Sequence, residues 1–300
     1  MFRNSSLAWF ALVLSAVACA GCGRRATGMP LVADSAKVDE AKVEELRMTT
    51  GSKAEEPQET EAAAPAVEPT EWCDLSGQFV YEGAAPDARP ISVTKDEQVC
   101  GKHALVDESL LVGSQNGLKN VVIFIATNKK QKLFIHPDYE STSKDVVRFD
   151  NKNCRFDPHI LPVRTSQTLE LHNSDAVSHN SSIEQANPLL SKDATFDYHF
   201  DKPKNEPVPV TCSIHTWMKG YVVARDNPYV AVSDEEGRFK IEKLPPGTHE
   251  FVVWHEASKG KLSAKSGSFD LKRGKVKLTV EPGENDLGAI TLGASAFQAK

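Results

Sequence analysis

From Trp72 onward, the sequence is a succession of short runs rich in β-branched and aromatic residues, separated by glycine, proline, asparagine and aspartate. Runs of this kind, bounded by turn-forming residues, are typical of β-strands. No stretch in this part of the chain has the apolar periodicity of a helix of three turns. The pattern therefore predicts an all-β fold for the body of the protein.

The candidate strands are spread evenly over this part of the chain. They lie at 76–82, 120–126, 145–150, 159–163, 167–172, 208–212, 220–224, 229–233, 238–242, 249–254, 266–271, 275–281 and 287–292. So many short strands favour two packed β-sandwiches over one large barrel. No repeat of fixed period is present in the sequence, which excludes solenoids and propellers.

The chain opens with an export signal. Arg3 supplies a positive charge, residues 7–17 form a short apolar core, and small residues follow up to Cys22. Such a segment is too short to span a membrane stably and is typical of a signal peptide. The Ala-Gly-Cys run that ends at Cys22 resembles a bacterial lipobox. We therefore expect residues 1–21 to be removed and Cys22 to be lipidated. The exported protein would then be anchored to a bacterial membrane, in the periplasm or on the outer surface.

Residues 22–71 are predicted to be a disordered acidic tether, because Asp, Glu, Ala, Pro and Thr cannot bury enough apolar surface to offset the entropy of ordering. The net charge of the chain is −6, and residues 31–71 alone carry −7. The first thirty residues add +3, which leaves only −2 for residues 72–300. A nucleic-acid-binding protein needs a dense Lys/Arg surface. The body of this protein is therefore not expected to bind nucleic acid.

The most informative motif is Thr-Cys-Ser-Ile-His-Thr-Trp-Met at 211–218, directly before the candidate strand at 220–224. It supplies a thiol from Cys212, an imidazole from His215 and a thioether from Met218. These groups can face one point only if the backbone turns around it. Two histidines, a cysteine and a weak axial methionine are what a blue-copper electron-transfer site requires. A second histidine must then come from elsewhere in the chain.

Upstream motifs supply that histidine. They are Phe-Asp-Pro-His-Ile-Leu-Pro-Val at 156–163, the candidate strand that leads into Asn-Ser-Asp at 173–175, and His-Asn at 179–180. With the 211–218 motif and the Lys-Gly-Tyr-Val-Val that follows it, they resemble the ligand strands and ligand loop of the cupredoxins, in particular the amicyanin-type members. The resemblance is close over 153–226 and loose over 72–226. It implies a cupredoxin Greek-key β-sandwich at 72–226.

Position by position, the resemblance implies one type 1 copper ion per chain. His179 and His215 would be the imidazole ligands, Cys212 the thiolate and Met218 the long axial contact. Asn180 would hydrogen-bond the Cys212 sulfur through its backbone N–H and clamp the ligand loop with its side chain. In this family the loop histidine presents its edge at an apolar surface patch, so His215 would be the route by which electrons leave.

Each ligand also has a simpler interpretation. Cys212 could be half of a disulfide, His215 a surface residue and Met218 a core residue. A structural zinc site is a further alternative, although zinc rarely takes a thioether ligand.

The cysteines that follow Cys22 are Cys73, Cys100, Cys154 and Cys212, which allow two disulfides in three pairings. If Cys212 binds copper as a thiolate, the other three compete for one bond. Cys73 lies at the edge of the tether, where fixing a bond would cost the most chain freedom. We therefore expect a disulfide between Cys100 and Cys154, with Cys73 free or paired between chains.

The segment at 231–253 carries a second resemblance. Its Asp-Glu-Glu-Gly and Leu-Pro-Pro-Gly turns, which flank Arg-Phe-Lys-Ile, are similar to those of the small carboxypeptidase-regulatory-type β-sandwich modules. The resemblance implies a structural or binding β-sandwich at 227–295. The candidate strands at 76–82 and 120–126 could complete the cupredoxin sandwich or pair with the C-terminal strands, so that the copper domain is inserted between them. The sequence leaves both arrangements open.

The expected function is that of a membrane-tethered type 1 copper protein that carries single electrons between exported redox partners. The protein is not expected to be an enzyme. Multicopper oxidases use His-x-His pairs, which this sequence lacks, and no hydrolase, phosphate-loop or dinucleotide motif occurs. Two alternatives remain. One is a copper-holding chaperone or sensor with an open site, and the other is a metal-free surface adhesion protein built of β-sandwich modules.

Overall fold

The structure is a computed structural model that describes residues 68–126 and 132–298. The predicted signal peptide at 1–21, the lipidation site Cys22 and the tether up to residue 67 lie outside the described residues. Within the described ranges no helix is long and apolar enough to cross a membrane.

Strands form nearly all the regular structure of residues 68–126 and 132–298, and the predicted all-β class is confirmed. The strands are β1 (Cys73–Glu82), β2 (Val122–Ile125), β3 (Val146–Lys152), β4 (Arg155–Asp157), β5 (Ile160–Arg164), β6 (Thr168–Asn173), β7 (His179–Asn180), β8 (Ser182–Ile183), β9 (Leu189–Leu190), β10 (Thr195–Tyr198), β11 (Val208–Thr211), β12 (Lys219–Arg225), β13 (Val230–Val232), β14 (Arg238–Leu244), β15 (Gly247–Trp254), β16 (Ala264–Ser266), β17 (Phe269–Leu271), β18 (Lys275–Val280) and β19 (Gly283–Gly293). The helical elements are one turn of α-helix, α1 (Glu97–Cys100), and 3-10 turns at Ser114–Asn116, Pro137–Tyr139 and Ala294–Ala296.

Every candidate strand overlaps an observed one. The strands that sequence reasoning missed are short, such as β7 and β8, because two residues carry too little alternation to be recognised.

Residues 146–225 form one β-sandwich, which we call the inserted sandwich. One sheet has the strand order β10-β6-β3-β4 and the other β5-β12-β11-β8. The β3/β6 and β5/β12 pairs are parallel, and the other pairs of these two sheets are antiparallel. Apolar side chains from both sheets, such as Phe149, Leu171, Val210 and Val222, meet in one buried core between them.

The second sandwich, which we call the discontinuous sandwich, combines strands from both ends of the described chain. Its sheets have the orders β14-β1-β19 and β13-β2-β15-β18. Phe79 and Ile123 from the early strands pack in one core with Phe239 and Phe251 from the late strands. The early strands, which the sequence analysis placed within 72–226 while leaving their pairing open, therefore belong with the C-terminal segment. The other sandwich is inserted between β2 and β13.

The position of strand β2 between the two sandwiches explains why its sequence is apolar throughout. Ile123 and Ile125 face the core of the discontinuous sandwich. Val122 and Phe124 face the other way and pack against Tyr221 and neighbouring residues of the inserted sandwich. Because both faces of β2 are buried, no alternating polar residue is tolerated, and the two sandwiches share a continuous apolar contact.

Candidate metal centre

Three buried side chains of the inserted sandwich converge on one point. His179 lies in β7, and Cys212 and His215 lie in the loop that joins β11 to β12. One ligand atom from each, an imidazole nitrogen or the thiol sulfur, lies within 4.8 Å of the other two. His179 and His215 are 0% exposed and Cys212 is 2% exposed. The predicted imidazole and thiolate ligands are therefore brought together and shielded from water.

The loop curls around the Cys212 sulfur because its two ends are paired. Thr211 and Lys219 are the last partners of the β11/β12 ladder, so the seven residues between them must turn back within one strand spacing. The N–H of Met218 donates to the carbonyl of His215 (2.8 Å), and the N–H of Cys212 donates to the carbonyl of Met218 (3.3 Å). The N–H of His215 points at the Cys212 Sγ (3.4 Å). This turn places the thiol and the imidazole on the same side.

Two aspartates fix the orientation of the imidazoles. His179 Nε2 lies 2.9 Å from Asp175 Oδ2, and His215 Nε2 lies 2.8 Å from Asp96 Oδ2. Because a carboxylate only accepts hydrogen bonds, each Nε2 carries a hydrogen and Nδ1 is left to meet a metal. His215 Nδ1 lies 3.9 Å from the Cys212 sulfur, and His179 Nδ1 is buried without a hydrogen-bond partner. Metal-binding histidines are commonly held in this way, with the outer nitrogen on a carboxylate.

The electrostatics of the site favour a thiolate. Burial opposes ionisation of Cys212, but the adjacent His179 imidazole and the backbone N–H groups of His215, Asn180 and Ile214 outweigh it, so the pKa of Cys212 is lowered. Burial also opposes the charging of His179, yet Asp175 and Cys212 together raise its pKa. A metal cation bound there would be held by the deprotonated forms of both groups.

His215 differs from His179 in its protonation. Burial lowers the pKa of His215, and the hydrogen bond to Asp96 does not compensate fully. His215 therefore keeps a neutral ring at neutral pH, which is the form that binds a metal.

Asn180 clamps the ligand loop to β7. Its side-chain oxygen accepts from the N–H of Ser213 (2.9 Å) and from the Ser213 hydroxyl (3.0 Å), and it lies 3.3 Å from the Cys212 sulfur. The side-chain clamp that the resemblance implied is thus present in the structure.

Met218 is buried in the core of the inserted sandwich, in the same apolar cluster as Cys212. It closes the loop through the two backbone hydrogen bonds described above. Its role as an axial thioether ligand stays a prediction.

The cysteines pair as predicted. Cys100 and Cys154 form a disulfide with a Cα–Cα distance of 5.5 Å, and Cys73 and Cys212 are free. The interpretation of Cys212 as half of a disulfide is therefore wrong. Cys73 is buried in β1, where its thiol donates to the carbonyl of Leu244, and burial raises its pKa to about 11.

The prediction that His215 presents its edge at the surface is wrong. Its ring is fully buried, and Asp96 lies on the Nε2 edge that the prediction left open. Trp217 packs beside the ring with a centroid distance of 5.1 Å and donates its indole N–H to the carbonyl of Cys154.

Sequence reasoning assigned no role to Asp96 or Asp175. Asp175 stands in the Asn-Ser-Asp motif, so its closeness to His179 had a local signal. Asp96 lies 119 residues before His215, and no pattern connects the two. Other histidines do not join the site: His172 binds Asp150, and His159 lies between Glu108 and Glu256.

Comparisons with known proteins give structural neighbours only. No family model matches the chain, and no curated protein matches it. A purple cupredoxin from Nitrosopumilus maritimus is 22% identical over 27% of this chain and 99% of its own, with a TM-score of 0.24. A copper-containing nitrite reductase from Thermus scotoductus is 20% identical over 33% of this chain and 25% of its own, with a TM-score of 0.24.

An amicyanin variant in its oxidised form is 18% identical over 34% of this chain and 98% of its own, again with a TM-score of 0.24. Scores at this level do not establish a common fold for the whole chain. The assignment of the metal therefore depends on the geometry of the ligands described above.

Proposed function

We propose that the protein is a type 1 copper protein that carries single electrons. The observation that carries this proposal is the buried triangle of two imidazole nitrogens and a thiol sulfur, with the pKa of that thiol lowered. Copper bound there would supply one-electron chemistry, cycling between two oxidation states. His179, Cys212 and His215 would hold the ion, and Met218 is the proposed axial contact.

The donor set favours copper over zinc. Structural zinc sites close with four Cys or His ligands, whereas the described residues offer three here and a methionine on the same loop. The site is also rigid, because Asp175, Asp96 and Asn180 each hold a ligand residue or its neighbour. A rigid site changes little when the charge of the ion changes, and this favours rapid electron transfer.

Burial of the ligands also separates an electron carrier from a copper chaperone. A chaperone must release its ion to a partner, which requires ligands that open to solvent. Both histidines here are fully buried and hydrogen-bonded at their outer nitrogens. We therefore propose retention of the ion, with electrons rather than copper passed to an exported redox protein and no catalytic reaction of the protein's own.

The deciding measurement is copper titration of the purified full chain, followed by optical and EPR spectra. We expect one Cu(II) per chain, an intense thiolate-to-copper band and a narrow parallel hyperfine splitting. The Cys212→Ser variant should lose the band. Cys73→Ser is the matched control, because Cys73 is the other free buried thiol of residues 68–126 and 132–298. A band that survives in Cys212→Ser, or no band in the wild type, would refute the proposal.

We further propose that Cys22 is lipidated and tethers the copper domain to a membrane. The support is the Ala-Gly-Cys run after the apolar core of residues 7–17. Acyl labelling sensitive to globomycin should occur in the wild type and in the Cys19→Ala control, and it should be absent in Cys22→Ala. Labelling that persists in Cys22→Ala contradicts the anchor.

A further inference from the structure

Residues 90–108, which we call the cover segment, contact the metal centre through Asp96. The segment closes on itself at its base, where Pro90 bridges Val106 and the N–H of Ile91 donates to the carbonyl of Leu105 (2.9 Å). The Cys100–Cys154 disulfide joins it to the inserted sandwich next to β4. The cover segment is therefore fixed both by its own hydrogen bonds and by a covalent link.

Asp96 has an unusual backbone conformation in this segment. Its φ and ψ are 51° and 41°, in the left-handed region that costs a non-glycine residue about 1 kcal/mol. It stands directly before α1, and its carbonyl accepts from the N–H groups of Val99 and Cys100. Its carboxylate makes no capping bond to this helical turn, although aspartate at this position usually does.

The carboxylate instead reaches His215. The distance from Asp96 Oδ2 to His215 Nε2 is 2.8 Å, the imidazole is 0% exposed, and the Asp96 side chain is 35% exposed. We propose that Asp96 is a positioning residue of the copper centre. It accepts the Nε2–H of His215, which directs Nδ1 toward the Cys212 sulfur, and it places a negative charge on the outer side of this ligand.

This inference rests on the proposed function, and it adds the direction in which Asp96 shifts the reduction potential. A carboxylate at a ligand stabilises the more highly charged state of the ion, so it lowers the reduction potential. The partial exposure of Asp96 moderates the effect through solvent screening. We expect removal of the charge to change the ratio of Cu(II) to Cu(I) affinities by about tenfold, which is 59 mV in a one-electron couple.

The test compares Asp96→Asn and Asp96→Ala with the control Glu97→Gln, which removes an exposed charge one residue further along without touching a ligand. In the copper-free full chain, long-range ¹H–¹⁵N NMR should show His215 with hydrogen on Nε2. Asp96→Asn should keep this tautomer through its amide oxygen, and Asp96→Ala should lose it. Unchanged tautomer populations in Asp96→Ala would overturn the positioning role.

In the copper-loaded chain, Asp96→Asn and Asp96→Ala should raise the reduction potential by about 59 mV, which is the tenfold change in the affinity ratio. Glu97→Gln should change the ratio of Cu(II) to Cu(I) affinities less than about twofold. Equal shifts in Asp96→Asn and Glu97→Gln would show that only general surface charge acts, and they would overturn the proposal. If the wild type lacks the thiolate-to-copper band, the proposed function fails, while the tautomer measurement still decides the role of Asp96.

Discussion

The metal centre and a second buried region both hold histidines against carboxylates. In the metal centre, His179 and His215 each meet one aspartate at Nε2, which leaves Nδ1 directed to the site. In the second region, which we call the salt cluster, His159 lies between Glu108 at Nδ1 (3.5 Å) and Glu256 at Nε2. Both nitrogens of His159 therefore face carboxylates, and neither is left for a metal.

The number of carboxylates per ring separates the two regions. Burial opposes the charge on His159, but Glu108 and Glu256 outweigh it and raise its pKa to about 9. His159 is therefore a buried cation at neutral pH, whereas His215 is neutral there. In these two regions, a ring that meets one carboxylate keeps a nitrogen for a metal, and the ring that meets two becomes an ionic link. Glu256 follows β15, so this link joins the inserted sandwich to the discontinuous sandwich.

One segment of the chain contributes a carboxylate to each of the two regions. The cover segment provides Asp96 to the metal centre and Glu108 to the salt cluster, and the Cys100–Cys154 disulfide holds the segment between them.

The largest contrast is expected from glutamine substitutions in the two regions. His179→Gln should lower copper affinity by more than about 100-fold. Loss of a residue that only hydrogen-bonds a metal ligand already lowers metal affinity by about 10–100-fold. His159→Gln should leave copper affinity within about threefold, since its ring has no nitrogen directed to the site. Competition titrations with a copper chelator measure both. Equal losses in the two variants would break the distinction between ligand and ionic link.

Removal of the disulfide should disturb both regions together. The two cysteines are 54 positions apart in the sequence, and loss of the bond should destabilise the fold by about 4 kcal/mol in the chain-entropy model. Urea unfolding of the Cys100→Ser/Cys154→Ser variant checks this value, with Cys73→Ser as the control. A variant that is less stable but keeps both the His215 tautomer and the pH dependence of stability would show that the cover segment does not link the two regions.

The pH dependence of stability should report the salt cluster. Because the pKa of His159 is raised from 6.5 to about 9, its contribution is fully present below pH 6.5 and is lost as pH rises through 9. The loss should be roughly 3 kcal/mol between pH 6 and pH 10. Urea unfolding at these two values should show a much smaller loss in His159→Gln. An equal loss in that variant would assign the effect to other groups.

The smallest predicted effect concerns Gly220. This residue lies in β12, just after the ligand loop and just before Tyr221, which lies beside the salt cluster. A Cβ atom there would lie 2.8 Å from the Phe149 ring, 2.9 Å from the Phe156 Cβ and 3.0 Å from the His159 carbonyl. Gly220→Ala should cost about 2 kcal/mol through this overpacking. Thermal unfolding measures this loss of stability. Gly267→Ala cannot serve as the control, because Gly267 has a positive φ that an alanine would adopt only with strain. A fully stable Gly220→Ala would show that β12 can shift without loss.

The sequence by itself determined the features that depend on neighbours along the chain. Alternation and turn residues determined the strands, and the 212–218 spacing placed a cysteine, a histidine and a methionine in one tight loop. These arguments succeeded because a hairpin loop between paired strands leaves few paths for the backbone. The Cys100–Cys154 pairing was also predictable, because the loop motif had already assigned Cys212.

Only the tertiary structure decided what joins distant segments. The early strands have apolar residues suited to either sandwich, and their partners were chosen by packing of Phe79 and Ile123 against C-terminal side chains. Likewise, the partner of His215 Nε2 is Asp96, which stands 119 residues earlier in an exposed turn. An aspartate in such a turn is ordinary in sequence. Its role arises because the disulfide and the base of the cover segment bring it to the ligand, and this contact is non-local.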